Sequence, residues 1–162
     1  MEAELPANEI DELRNDMAAM YDDVRDLLVR LPLDDRDHRT PRGDKLRHIV
    51  AQLVSSPMRE ARAARRLAGG RAGASWSPSR LLDFVTDWRL QRALHNATRR
   101  DLLAAWEGGF NELFSTLNDA VEATFEPAGS ASARARAVAH LCGAPARAAD
   151  RTAAARHLIE TP

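Results

Sequence analysis

The chain has 162 residues, 23 basic and 24 acidic side chains, and a formal net charge of −1. That length fits one domain spanning 1–162 with a core of its own, and the balanced charge excludes a global attraction to nucleic acid or to an anionic membrane. Cys142 is the only cysteine, which excludes an internal disulfide. No apolar run approaches the ~20 residues of a membrane span, and residues 1–20 are acidic without the apolar centre of a signal peptide. The expectation is a cytoplasmic protein with no nucleic-acid and no membrane partner.

Helical periodicity dominates the chain. Ile10, Leu13, Met17, Met20, Tyr21, Val24, Leu27, Leu28 and Leu31 recur at three and four, predicting a helix over about 8–31 with Asn8 as its cap. Pro32 and the polar run to Arg42 end it. Asp44 is then the expected cap of a second helix over about 44–69, with the stripe Leu46, Ile49, Val50, Leu53, Val54, Met58, Ala61 and Leu67. Ser55-Ser56-Pro57 predicts a kink or break in it, because proline lacks the N–H and clashes one turn back.

Gly69-Gly70 open a Gly/Ser/Arg loop, and Ser77-Pro78 marks the start of a third helix over about 78–95. Its apolar residues are Leu81, Leu82, Phe84, Val85, Trp88 and Leu94. Thr98 and Asp101 have the spacing of a capping box for a fourth helix over about 99–125. Leu102, Leu103, Trp106, Phe110, Leu113, Phe114, Leu117, Val121 and Phe125 form the strongest stripe in the chain. Gly108-Gly109 inside it costs roughly 2 kcal/mol against two alanines, unless another helix approaches closely there. After the linker Pro127–Ser130, a last segment over about 132–159 has Val138, Leu141, Cys142, Leu158 and Ile159 as anchors and an expected kink at Pro145. The fold class is all-α, an up-down four-helix bundle with an additional short helical segment.

The segment Asp44-Lys45-Leu46-Arg47-His48-Ile49-Val50-Ala51-Gln52-Leu53-Val54, with its lead-in Thr40-Pro41, resembles the second helix of the DinB-like superfamily. So does the polar turn leading into Thr98–Leu117. That superfamily includes the mycothiol-dependent maleylpyruvate isomerases and related thiol transferases. The resemblance implies a divalent metal held by three histidines, one from the second helix and two from the last as H-x-x-x-H, with an open position for a thiolate. The metal lowers the pKa of the bound thiol, which becomes the nucleophile. Here the first position matches Gln52, and the best match puts the other two on Ala149 and Ala153. Alanine cannot bind metal, and glutamine is a weak oxygen donor. The resemblance thus implies a degenerate metal site and no cofactor.

Two readings of function follow. The first is a metal-free DinB-like protein that binds a small molecule or partner between its helices, or pairs with itself as a homodimer. The alternative is an active mycothiol-type S-transferase or isomerase. It would take Zn or Ni at an atypical site built from Gln52 and His48, with Asp150 or His157, and a low-molecular-weight thiol as cofactor.

The remaining candidates are plainer. No two of His38, His48, His95, His140 and His157 are four residues apart. Cys142 reads as a buried apolar filler with no base beside it. Trp88, Trp106, Phe110 and Phe114 read as core. Trp76, in the loop, either covers the mouth of a cavity or packs as an anchor. Residues 1–44 hold 13 acids and 6 arginines, whereas residues 59–80 hold 6 arginines and one acid. Arg59, Arg62, Arg65 and Arg66 could bind an acidic ligand through paired hydrogen bonds; pairing with the acidic first helix is the simpler expectation.

Overall fold

The three- and four-residue spacing of apolar side chains becomes six α-helices in a computed structural model, which describes residues 7–32, 41–69, 78–122 and 131–160. They are α1 (Ala7–Arg30), α2 (Pro41–Ala68), α3 (Pro78–His95), α4 (Arg99–Val121), α5 (Ala131–Cys142) and α6 (Ala144–Glu160). No strand occurs among the described residues, and the class is all-α.

The helix ends show which local signals governed. Thr98 caps α4 as its sequence predicts: its Oγ1 accepts from the Asp101 N–H at 3.2 Å, and its own N–H donates to Asp101 Oδ2 at 3.2 Å. Asn8 lies inside the first turn of α1 rather than at its cap. Helix α2 begins at Pro41, three residues before the expected Asp44, because a proline needs no intrahelical partner in a first turn. The expected end of α4 at Phe125 lies outside the described residues; the helix closes at Val121, with the Glu122 N–H donating to the Asn118 carbonyl at 2.8 Å. The last segment is not one helix kinked at Pro145. It breaks at Gly143 into α5 and α6, and Pro145 sits harmlessly in the first turn of α6.

Pro57 does not interrupt α2, which runs unbroken through it. The missing Pro57 N–H deprives the Leu53 carbonyl of its helical donor. Ser56 supplies the replacement: its Oγ donates to the Leu53 carbonyl at 2.7 Å, and the neighbouring Ser55 Oγ donates to the Gln52 carbonyl at 3.2 Å. Both serines are buried. The pair that looked like part of a break is what keeps the helix whole.

Helix α2 is the centre of the packing. It lies against α4, α5, α6 and α3, while α1 packs on α4 and α6. The contacts close a four-cornered ring of α1, α4, α2 and the α5–α6 pair. The core inside it comes from the expected stripes, with Met17, Leu28, Leu53, Trp106, Leu113, Leu117 and Leu141 fully buried. Tyr21, Trp106, Phe110 and Phe114 form a chain of ring contacts between α1 and α4. Gly109 explains one half of the glycine pair in α4: it is buried, and a Cβ there would meet Pro57 Cβ at 3.5 Å. Gly108 faces open space.

Helix α3 lies outside the ring, and this corrects the reading of Trp88 as core. Only Leu94 is buried; Leu81, Leu82, Phe84, Val85 and Trp88 are 52%, 68%, 69%, 41% and 52% exposed. Beyond Leu94 in the core and Leu90 packed against it, polar contacts hold α3 to α2. Arg62 pairs with Asp87 at 2.7 Å, Arg66 pairs with Asp83, and Arg47 NH1 donates to the His95 carbonyl at 2.7 Å. The arginine cluster of α2 therefore pairs with α3, and through Arg65 with Glu112 of α4, rather than with the acidic first helix.

Candidate functional site

The residue types expected to carry chemistry lie on α2, one or two turns apart. His48 is exposed and Gln52 half-buried, and their Nε2 atoms are 2.9 Å apart, the amide donating to the ring nitrogen when that nitrogen carries no proton. Arg59 lies two turns on, with NH2 donating to the Gln52 carbonyl at 3.3 Å. Three of the four ligand-binding candidates thus share one stretch of α2. The fourth, Trp76, lies outside the described residues.

Helix α6 presents the other mapped positions to solvent. Ala149, Ala153, Asp150 and His157 are all exposed. The pair one turn apart that faces the core is Ala148 and Thr152, both buried, with Thr152 Oγ1 donating to the Ala148 carbonyl at 2.9 Å. Among the described residues, no group of three or more His, Cys, Asp or Glu side chains is arranged to hold a metal ion.

Cys142 is exposed rather than a buried filler. Its thiol is nevertheless pushed up from its ordinary value, by partial desolvation and by the negative charge of Glu9. It therefore carries less thiolate at neutral pH than a free cysteine, the opposite of an activated nucleophile.

Among the described residues, a polar cluster joins α2, α5 and α6. Glu60 takes a two-point grip from Arg147, with Nε donating to Oε1 at 2.9 Å and NH2 to Oε2 at 2.7 Å. Arg147 NH2 also donates to the His140 carbonyl at 2.9 Å. The His140 ring brings Nε2 to 2.7 Å from Glu60 Oε2, close enough for a charge pair but off the line of a straight hydrogen bond. Burial works to raise the Glu60 pKa, but the hydrogen bond and charge of Arg147, with His140, outweigh it and hold the carboxyl below the ordinary range. Gly143 leaves room beside the grip: a Cβ on it would crowd Arg147 NH1, the guanidinium nitrogen that does not touch Glu60.

Arg151, one turn beyond Arg147, is the unsettled member. Its NH1 is sealed from water and has no hydrogen-bond partner among the described residues. Desolvation lowers its pKa, and the like charges of Arg59 and Arg147 lower it further against the opposing pull of Glu60 and Asp150. Arg151 thus feels two like charges, Arg59 and Arg147, against two acids, Glu60 and exposed Asp150.

Sequence reasoning found Arg59, considered His140 only as a metal-type histidine with His48 and His157, and missed Glu60, Arg147 and Arg151. The legible signals were Glu60 as the one acid in an arginine-rich stretch and Arg147/Arg151 at helical spacing; only the fold brings them together. No family model, no curated protein and no solved structure matches the chain.

Proposed function

We propose that this is a metal-free, DinB-like up-down helical bundle that binds a small carboxylate- or phosphate-bearing anion beside Arg59 and Arg151. The observation that carries the reading is the Arg151 guanidinium. A buried donor with no partner is costly, and a cation desolvated next to two others is costlier still. A bound oxyanion relieves both, since it accepts from the idle NH1 and offsets the excess charge. The four-cornered packing and the family-like stretch of α2 support the bundle assignment. The positions that would carry metal histidines hold Gln52, Ala149 and Ala153, and the thiol of Cys142 is poorly ionised, so the features that favour the thiol-transferase alternative are weak.

Thermal unfolding at constant ionic strength tests the proposal. Chloride is exchanged for acetate, succinate or inorganic phosphate, and the wild type is compared with Arg151→Met and Arg59→Met. The wild type should show a rise in Tm that grows with the logarithm of concentration above Kd, corresponding to about 2.7 kcal/mol of stabilisation at 100-fold over Kd, and both variants should lose it. Equal shifts in all three proteins would reflect general salt effects and remove the site. A rise in Tm on adding micromolar Zn²⁺ or Ni²⁺ would favour the transferase instead.

A further inference from the structure

Helix α3 is built the wrong way round for a helix of a lone molecule. At about 100° per residue, Leu81, Phe84, Val85 and Trp88 fall on one face, with Leu82 at its edge. Asp83, Asp87, Leu90 and Leu94 fall on the opposite face. It is this second face, acidic in its first half and apolar in its second, that meets α2, the acidic half through Arg62 and Arg66. The apolar face points to solvent. Two arginines on α2 and two aspartates on α3 thus fix the helix with its apolar side out.

We infer that this face is where two copies of the chain meet, with their α3 helices antiparallel about a two-fold axis. Two observations select a second copy as the occupant. The first is area. A buried aromatic side chain accounts for about 150–250 Å², and at the observed exposures the five side chains leave on the order of 500 Å² of apolar surface in water per copy, at the top of the range seen on monomers. Full burial of these side chains in both copies would remove on the order of 1,000 Å², a ceiling that reaches the lower end of specific interfaces. The second is self-complementarity. In a two-fold contact a patch must fit itself. With the axis between Phe84 and Val85, Phe84 meets Val85 of the second copy and Leu81 meets Trp88 of the second copy. Large faces small in each pair, and four of the five apolar residues find an apolar partner. Arg92 lies over the Trp88 ring, its guanidinium carbon 5.3 Å from the centroid, and flanks the contact at its polar rim.

Sedimentation of the full chain over a range of concentrations, with the double variant Phe84→Glu/Trp88→Glu alongside, tests this. The wild type should sediment at twice the monomer mass. The variant should sediment as a monomer with an unchanged helical circular dichroism spectrum, since both side chains are exposed within one copy. A wild type that stays monomeric at every concentration, grows into open-ended assemblies, or keeps its dimer in the folded double variant overturns the inference. Should the double variant misfold, spin labels answer the same question. With Cys142→Ser and a label on Arg89→Cys, which lies beside the apolar face, the two labels of a dimer should lie within about 35 Å. That follows because packed helices lie about 8–10 Å apart and residue 89 is only a few 1.5 Å steps from the axis. A longer separation, or no measurable coupling, places any dimer on another face.

Discussion

Arg147 on α6 grips Glu60 on α2 through both carboxylate oxygens, at 2.9 and 2.7 Å, and the absence of a side chain on Gly143 leaves room for it. Replacing Gly143 by alanine puts a methyl 2.3 Å from Arg147 NH1. The guanidinium must shift, and the two-point geometry loosens. Gly143→Ala should lower stability by about 1 kcal/mol despite alanine's smaller loss of backbone entropy, measured as the urea midpoint. An unchanged or higher midpoint means that the guanidinium moves aside freely.

The same pair predicts a pH dependence. Folding lowers the Glu60 pKa, against burial, through Arg147 and His140. The stability contributed by the ionised carboxylate is therefore complete above its unfolded value of about 4.3. It is lost as pH falls through the lower folded-state value. Glu60→Gln should be less stable than the wild type by about 1–3 kcal/mol at pH 7, and the gap should close below about pH 4. Parallel urea titrations from pH 7 to pH 3 measure it. A gap that stays constant with pH would show that packing, not charge, makes the difference.

Ser56 and Pro57 act as one unit. Ser56→Ala leaves the Leu53 carbonyl with no donor, since Pro57 has no N–H, and should cost about 1–2 kcal/mol. In a Pro57→Ala background the N–H returns, and the same serine substitution should cost several-fold less. A double-mutant cycle on chemical denaturation reads the coupling. Additive losses would mean that the hydroxyl does not replace the missing helical bond.

The two glycines in α4 should separate. Gly108 faces open space, so Gly108→Ala should stabilise by about 1 kcal/mol through helix propensity. Gly109 lies against Pro57, where alanine makes ordinary contact at 3.5 Å. A larger residue such as leucine there should cost about 1–3 kcal/mol by overpacking. Thermal melts of Gly108→Ala and Gly109→Leu check the order.

How far the sequence could be read depended on which question was asked of it. Periodicity located α1, α3 and α4 to within a few residues, because an apolar stripe is a property of the helix itself. It did not say what the stripe of α3 meets. The same spacing serves a core helix and an exposed one, and Asp83 and Asp87 were silent until α2 brought Arg66 and Arg62 against them. Pro57 and Pro145 misled for a related reason. Proline's effect depends on whether a neighbour replaces its lost bond, as Ser56 does, or whether it falls in a first turn, as Pro145 does. On the site side, Arg59, Gln52 and His48 share one helix and were visible together. Glu60, His140, Arg147 and Arg151 come from three helices, and no spacing rule joins them.

The most direct test of the account is the ¹H–¹⁵N spectrum of the arginine Nε–Hε groups during titration with succinate at constant ionic strength. Binding between Arg59 and Arg151 predicts saturable shifts of those two signals, while Arg62 and Arg66, held by Asp87 and Asp83, stay in place. An Arg151 signal that never moves, or arginine signals that all drift together, would contradict it.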